Sequence, residues 1–145
     1  MIGLLQRVIQ ASVVVDDKII GEIANGLLVL IGVEKQDTEE TAKRLIDRLL
    51  SYRVFADDNQ KMNLSLTTIG GGLLLVPQFT LTADTKKGTR PGFSRGATPE
   101  YAEQLFLYCL NYATTKHNTV ASGKFGADMK VSLTNDGPVT FTLKT

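Results

Sequence analysis

Eight consecutive apolar and glycine residues, GLLVLIGV at residues 26–33, indicate the architecture of the chain. A short continuous run of this kind is typical of a strand that is buried on both faces. The next segment, DTEETAKRLIDRLLSYR at residues 37–53, carries its apolar residues at helical spacing. Asp37, with Glu40 three positions later, forms a capping-box pattern at its start. The apolar face consists of Ala42, Leu45, Ile46 and Leu49. The sequence therefore predicts a buried strand followed by an amphipathic helix.

The chain before this unit is predicted to form β-strands. Residues 2–10 and 11–16 are rich in β-branched side chains and roughly alternate in polarity, which is typical of strands. The sequence VDDK at residues 15–18 is a favourable turn before IIGEI at residues 19–23. We therefore expect a β-hairpin here, with residues 19–23 as its second strand.

A second buried strand and a second helix follow the first helix. The strand is GGGLLLVPQFTL at residues 70–81, and a further short strand is expected at residues 62–66. Thr98 is a favourable N-cap and Pro99 suits the first position of a helix that ends near His117. The apolar side of this helix is expected to consist of Tyr101, Leu105, Tyr108 or Cys109, and Tyr112.

The order of these elements predicts the fold class. Two helices that each follow a buried strand indicate a sheet covered by helices on one face. The segments VASGKFGADMKVSLTND and GPVTFTLKT alternate again as strands, and these surplus strands imply a second β layer. We expect an α/β fold with three layers, α/β/β, in which two helices pack on one face. The length predicts a single domain over residues 1–145.

The composition limits the chemistry that the chain can perform. With 145 residues, 43% hydrophobic and 21% charged, it resembles an ordinary globular protein. A single cysteine, Cys109, and a single histidine, His117, exclude a zinc site of the usual type and an internal disulfide. No dense aspartate cluster suggests a magnesium site. We therefore expect no metal and no cofactor. The net charge of +1 means that contact with nucleic acid would depend on a local basic patch.

The sequence gives no indication of a membrane segment. The apolar run at residues 26–33 is far shorter than the roughly 18 residues that a membrane helix needs. At the N-terminus, no basic region precedes the apolar residues, and Arg7 interrupts them, which argues against a cleaved signal. We expect the protein to be cytoplasmic and to have no membrane partner.

Three segments are candidates for a site. Gln78 and Thr80 end the second buried strand, where open α/β sheets bind ligands, although Gln78 facing solvent and Thr80 as a simple strand former explain them equally well. The loop at residues 82–97 carries Phe93 among basic residues, which suits either phosphate contact with base stacking or a solvated loop. Those basic residues are Lys86, Lys87, Arg90 and Arg95. In NDGPVT, residues 135–140, the Gly-Pro pair by itself indicates a turn.

Together these segments resemble a known family. The stretches LLQRVIQASVVVD, LLVPQFTLTADT, GTRPGFSRGA and GKFGADMKVSLTNDGPVTF look like the D-aminoacyl-tRNA deacylases, in order and over essentially the whole chain. The family pattern Ser-Gln-Phe-Thr is matched at residues 78–80, and Asn-x-Gly-Pro-Val-Thr is matched in full at residues 135–140. The resemblance implies a three-layer α/β/β homodimer. It also implies an enzyme that cleaves the ester joining a D-amino acid, or glycine mischarged on tRNA(Ala), to the 3′ end of tRNA.

The resemblance further implies how such a site works. Gln78, Phe79 and Thr80 position the substrate, and the 2′-hydroxyl of the tRNA assists the reaction. Thr80 has the alternative roles of nucleophile or proton relay, although no base is evident to activate it. Gly137 and a cis Pro138 of one subunit enter the partner's active site as a wall that rejects L-amino acids. Because an aminoacyl ester is already activated, a water, backbone N–H groups and a relaying hydroxyl suffice, which agrees with the few catalytic side chains.

Four more residues receive roles from the resemblance. Arg7 is expected to hold the Gly-Pro pair by hydrogen bonding, with Asn135 as a further support. Phe125 and Met129 correspond to positions that contact the terminal adenosine. Each of these roles is implied by the family alone.

One residue departs from the family pattern. Pro77 stands where the family usually has Ser, which removes a hydroxyl and a backbone N–H donor. A related animal branch that acts on an L-alanine mischarge also carries Pro there but changes the following Phe, whereas this chain keeps Phe79. We expect a D-specific enzyme, with altered stereospecificity as an alternative. Two other hypotheses are a non-catalytic tRNA-binding dimer, for which a basic excess larger than +1 is expected, and a structural β-rich homodimer.

Overall fold

The computed structural model describes residues 1–145. Its centre is a pair of apolar strands, β3 (Gly26–Gly32) and β6 (Gly72–Pro77), which pair in parallel as their buried sequences predict. The other elements, in chain order, are β1 (Ile2–Val15), β2 (Lys18–Ile23), α1 (Glu39–Ser51), β4 (Arg53–Ala56), β5 (Met62–Ser65), α2 (Leu66–Ile69), α3 (Pro99–Lys116), β7 (Val120–Ser122) and β8 (Lys130–Lys144).

One sheet contains six of the eight strands. Its order is β2-β1-β3-β6-β7, and β8 pairs antiparallel with β1 along nearly its whole length. The long β1 pairs with β3 through residues 2–8 and with β2 through residues 11–15. A Cβ placed on Gly72 would lie 2.7 Å from the Cβ of Ile23 in β2, so β2 lies directly against β6. The sheet therefore folds back on itself, while β4 and β5 form a separate antiparallel pair.

Two hydrophobic cores lie on opposite faces of the central strands, because successive side chains of a strand point to opposite sides. Leu27 and Leu73 face the larger core, which also contains the buried residues of α1 and α3. Leu28 and Leu74 face the smaller core, which buried residues of β1 and β2 complete. The two long helices thus cover one face of β3 and β6, and the predicted α/β class is confirmed.

The N-cap of the first helix lies one residue later than its sequence pattern predicts. Thr38 is the N-cap, since its side chain accepts a hydrogen bond from the backbone N–H of Thr41. The Thr41 hydroxyl accepts one in return from the backbone N–H of Thr38, at 2.8 Å. The prediction that Asp37 and Glu40 form the capping box is therefore wrong.

Asp37 has a different role, in a buried ion pair. Its carboxylate contacts the N-terminal ammonium of Met1 and accepts a hydrogen bond from the backbone N–H of Glu34 at 2.7 Å. Only 6% of Asp37 is exposed. A charged partner holds a carboxylate more strongly than a neutral cap N–H does, which explains why Asp37 is drawn away from the helix.

The second long helix, α3, packs on α1 through an apolar face and two tyrosines. Its buried residues are Ala102, Leu105, Phe106, Cys109 and Ala113. Two of the predicted tyrosines, Tyr101 and Tyr112, lie at the margin of this face, where their hydroxyls reach polar partners. Tyr101 donates to the carbonyl of Asp37 at 2.8 Å, and Tyr112 donates to Asp47 Oδ1 at 3.0 Å. The tyrosines therefore link α3 to α1 and to the residues before it.

The short strand expected at residues 62–66 is confirmed as β5, but β4 and α2 were not predicted. The second buried strand is shorter than expected, since it ends at Pro77 and residues 79–82 form a turn of 3₁₀ helix. Proline ends the strand because it lacks the N–H that would continue the ladder. None of the helices combines the length and apolarity that crossing a membrane requires.

Candidate functional site

The candidate site begins where β6 ends. The backbone N–H of Gln78 donates to the carbonyl of Ile31 at 2.7 Å, which keeps the end of the strand attached to β3. The 3₁₀ turn follows, and Gln78 Nε2 donates to Thr80 Oγ1 at 2.5 Å. The two polar side chains that the sequence singled out are therefore in direct contact.

This contact limits what Thr80 can do. Neither end of a carboxamide takes up a proton at neutral pH, so Gln78 can orient the Thr80 hydroxyl but cannot activate it as a nucleophile. Because Thr80 Oγ1 accepts from Gln78, its own proton is free to be donated. The geometry thus provides a positioned hydroxyl donor at the exposed end of the strand.

An apolar pocket of about 70 Å³ opens beside the turn, and Phe79, Phe93 and Phe125 contribute to its lining. The rings of Phe79 and Phe93 lie 5.2 Å apart between centroids, tilted by 50°. Phe79 is 63% exposed and Phe93 42% exposed. Exposed aromatic faces of this kind offer stacking surface to a planar group such as a nucleobase. The pairing of these two rings was not predicted from the sequence.

The long loop predicted as a site is fixed to the turn. Thr82 is buried and its hydroxyl donates to the carbonyl of Phe79 at 2.8 Å. A Cβ placed on Gly96 would lie 2.9 Å from Thr82 Oγ1, so the end of the loop packs directly on the turn. Asp84 and Gly92 exchange two backbone hydrogen bonds, of 2.7 and 3.0 Å, which close the outer part of the loop. Its basic residues are all exposed.

Phe125 and Met129 lie in the connection between β7 and β8. Met129 Sδ is 3.4 Å from the backbone N of Lys124, which donates to it. A Cβ placed on Gly123 would lie 2.7 Å from Met129 Sδ and 3.4 Å from Pro77 Cδ. The structure therefore brings this connection against the end of β6, next to the pocket that Phe125 lines.

The Gly-Pro pair lies in a bulge of β8. The strand pairs with β1 on both sides of residues 136–139, but these residues leave the ladder opposite Arg7. Gly137 and Pro138 are exposed and joined by a cis peptide bond, as the resemblance implies. Gly137 has a φ of 124°, a backbone conformation that residues with a side chain rarely adopt.

Arg7 connects this bulge to another part of the chain. Its Nε donates to the carbonyl of Asp136 at 3.2 Å and lies 3.0 Å from Asp136 Oδ2. Its Nη1 donates to the carbonyl of Val54 at 2.6 Å. Neither partner was predicted from the sequence. The position of Asp136 inside NDGPVT was a signal in the sequence that could have pointed to it as a partner of Arg7. No feature of the sequence points to the Val54 carbonyl.

Asn135 closes the bulge at its base. Its Oδ1 accepts a hydrogen bond from the backbone N–H of Val139 at 2.9 Å, and its Nδ2 donates to Thr140 Oγ1 at 2.8 Å. The side chain thus replaces ladder hydrogen bonds that the bulge removes.

Within one chain the Gly-Pro bulge and the 3₁₀ turn lie at different ends of the central strands. Arg7 pairs with Leu27 of β3, and Leu27 pairs with Leu73 of β6. Gln78 follows Leu73 by five residues, which is about 16 Å along a strand. The structure brings Arg7 and Asn135 to the bulge, and Phe125 to the turn, but it does not bring the bulge to the turn.

Titratable groups with perturbed pKa values lie outside these contacts. Burial, followed by the charge of Asp37, raises the pKa of the Cys109 thiol to about 12. Hydrogen bonds, first from the backbone of Lys61, lower the pKa of Asp57. Desolvation, followed by the bond to Asp47, raises the pKa of Tyr112. No three His, Cys, Asp or Glu side chains converge as potential metal ligands.

Residues 4–144 match the family model described as D-Tyr-tRNA(Tyr) deacylase. The chain is 57% identical over 143 residues to a D-aminoacyl-tRNA deacylase of Pseudoalteromonas atlantica, with 99% of each protein covered. Among solved structures, it is similar to a c-Myc DNA unwinding element binding protein, with a TM-score of 0.95, 34% identity and coverage of 100% and 99%. A probable eukaryotic D-amino acid tRNA deacylase shares the fold, with a TM-score of 0.87, 18% identity and coverage of 99% and 98%.

Proposed function

Because the chain belongs to the D-Tyr-tRNA(Tyr) deacylase family and is a D-aminoacyl-tRNA deacylase, we propose that it also clears glycine mischarged on tRNA(Ala). Residues 1–145 act as one domain, and the products are the free amino acid and tRNA. The observation that best supports a site at the end of β6 is the 2.5 Å contact of Gln78 with Thr80 beside an aromatic pocket. Polar groups for an ester and stacking surface for a nucleoside occur there together.

The proposed mechanism uses the substrate's own 2′-hydroxyl. A water oxygen attacks the ester carbonyl, and the bond from the carbonyl carbon to the ribose oxygen breaks. The 2′-hydroxyl passes the proton of the water to the leaving oxygen, while backbone N–H groups donate to the developing oxyanion and the Thr80 hydroxyl donates a hydrogen bond that positions the substrate. Gln78 positions Thr80, and Phe79 holds the nucleoside with Phe125 and Met129, which contact the adenosine.

The stereochemical wall is proposed to come from a second copy of the chain. D- and L-amino acids differ in which substituent of Cα is hydrogen, so a rigid wall at one position excludes L side chains and admits glycine. Gly137 and Pro138 of one subunit form this wall in the active site of its partner, and Arg7 and Asn135 hold the pair in place. The separation of about 16 Å along β6 supports this intermolecular arrangement.

The surface around the bulge also supports a homodimer. Strand β8 pairs only with β1, so its other edge is free to meet a second chain. Two large apolar side chains near the bulge, Ile9 and Phe141, are 56% and 38% exposed. An apolar surface beside a free strand edge is suited to association.

The direct test measures amino acid release from D-tyrosyl-tRNA, L-tyrosyl-tRNA and glycyl-tRNA(Ala). We expect turnover of the first and third only. No turnover of either, with tRNA binding intact, would favour the non-catalytic tRNA-binding dimer. For the mechanism, a D-tyrosyl-tRNA whose terminal adenosine lacks the 2′-hydroxyl should not be cleaved, and its normal cleavage would exclude the proposed relay.

Two variants separate the roles of the residues. Thr80→Ala should lower the rate only modestly, because Thr80 contributes a hydrogen bond and not a covalent step. Complete loss together with a trapped covalent intermediate on the unsubstituted enzyme would overturn the substrate-assisted mechanism. Pro138→Ala should admit L-tyrosyl-tRNA, and unchanged rejection of that substrate would exclude the wall.

A further inference from the structure

A second, polar pocket lies on the other side of the loop that carries Phe93. It has a volume of about 520 Å³, and its lining includes three basic residues, Lys35, Arg44 and Arg95. We call it the basic pocket and define it by these three side chains. Its positive charge is a local feature, because the net charge of the whole chain is only +1.

The carboxylates beside the basic pocket already have partners. Glu34 Oε1 lies 2.8 Å from Arg95 Nη2, and Asp37 contacts the N-terminal ammonium. The main-chain oxygen of Thr145 accepts a hydrogen bond from that same ammonium at 3.0 Å. The side chains of Lys35 and Arg44 form no hydrogen bond or ion pair with the rest of the chain. Two unpaired cations and the half-exposed guanidinium of Arg95 therefore face one concavity.

The basic pocket is physically joined to the candidate site. The backbone N–H of Lys35 donates to the carbonyl of Arg95 at 3.1 Å, and the backbone N–H of Ala97 donates to the carbonyl of Val33 at 3.1 Å. Between these bonds, Gly96 packs against Thr82 of the 3₁₀ turn. A polymer bound at the turn with a base against Phe79 and Phe93 would have its neighbouring backbone close to Arg95.

We propose that the basic pocket binds phosphodiester oxygens of the acceptor end of tRNA. The proposal rests on the proposed function and adds to it the path of the RNA away from the ester. Guanidinium groups recognise phosphate through paired N–H donors, and a lysine adds a mobile point charge. Residues 86–94 of the adjoining loop contain three further basic residues and no carboxylate, which extends the positive surface beyond the pocket. A polyanion fits this arrangement.

The test compares two substrates in the double variant Lys35→Ala, Arg44→Ala. For D-tyrosyl-tRNA we expect kcat/KM to fall about tenfold at low salt, mainly through KM. The slope of log(kcat/KM) against log[salt] should become shallower by about 1.4, because two phosphate contacts that contribute about 0.7 each are lost. For 3′-O-D-tyrosyl adenosine, which has no phosphodiester, kcat/KM should stay within about twofold. The control is Lys43→Ala, which removes one positive charge from α1, the helix that carries Arg44, at a position outside the pocket. The variant Lys35→Arg, Arg44→Lys should restore most of the tRNA activity.

Binding of uncharged tRNA separates this inference from the proposed function. One outcome is that the unsubstituted protein cleaves neither substrate, while the double variant binds tRNA more weakly and with a shallower salt dependence than the unsubstituted protein. The pocket is then an RNA site, and the proposed function is wrong. If the double variant unfolds at the same urea concentration as the unsubstituted protein and binds tRNA with the same affinity and slope, the basic pocket is not an RNA site. Equal losses for both substrates would also overturn the proposal.

Discussion

Replacing Gly137 by Ala is expected to damage the Gly-Pro bulge in two ways. A Cβ at this position would lie 2.7 Å from Val139 Cγ2 and 3.0 Å from Arg7 Nη2. The first distance is shorter than a carbon–carbon contact allows, so at least one of the two neighbours must move. The φ of 124° is in addition strained for any residue that has a side chain.

The magnitude follows from these two effects. A residue other than glycine in such a conformation costs about 1–3 kcal/mol. Moving Arg7 weakens its contact with Asp136, but Asp136 is 45% exposed, so solvent screening limits this contribution to less than about 1 kcal/mol. We expect Gly137→Ala to lower the free energy of unfolding by about 2–3 kcal/mol. Gly70→Ala is the control, because Gly70 has a φ of 62° and nothing within 4 Å of a Cβ; its cost should be about 1 kcal/mol.

The assay combines urea unfolding with kcat/KM for D-tyrosyl- and L-tyrosyl-tRNA. If the bulge is the wall, the D-over-L ratio should fall at least tenfold in Gly137→Ala, which corresponds to about 1.4 kcal/mol of lost discrimination. Gly70→Ala should keep the ratio of the unsubstituted protein. A Gly137→Ala protein that is destabilised as expected but keeps the ratio within twofold would refute the reasoning about the wall. Unchanged stability would refute the steric argument.

Two further substitutions and one labelling experiment test other parts of the structure. Pro77→Ser returns an N–H where the β6–β7 ladder could bond to the Gly123 carbonyl, so we expect the D-over-L ratio of kcat/KM to rise by up to about fivefold, the full effect of one hydrogen bond; an unchanged ratio would mean that the missing N–H of Pro77 does not alter stereospecificity. Asp37→Asn leaves the N-terminal ammonium without its buried partner and should lower the free energy of unfolding in urea by about 3–5 kcal/mol, whereas a loss below about 1 kcal/mol would contradict the buried pair. Because the pKa of Cys109 is raised to about 12, its thiol stays protonated at neutral and mildly alkaline pH; it should react with a thiol reagent only after unfolding, and rapid labelling of the native protein would show that it is accessible.

The apolar pattern of the sequence was sufficient for the elements with the most buried residues. It predicted β3 and β6 from continuous apolar runs, and α1 and α3 from apolar residues repeated at helical spacing. It missed α2, which has only four residues and depends on caps, with Ser65 accepting a hydrogen bond from the backbone of Thr68 and Gly70 adopting a left-handed conformation. The Asp37 error has a similar cause. Its partner is the N-terminal ammonium, 36 residues away, and no local pattern describes that contact.

The candidate site shows the same limit more sharply, because strand register decides which residues meet. Gln78 and Thr80 are neighbours in the sequence, so their contact could be anticipated from the motif alone. Arg7 reaches Asp136 and Val54 across 129 and 47 residues, and only the pairing of β1 with β3 and β8 determines those contacts. The same register fixes the bulge about 16 Å along the strands from the turn of its own chain. If both motifs act in one site, as we propose, that site must be assembled from two chains. Loss of the dimer should then abolish L-rejection even in a chain whose two motifs are both intact.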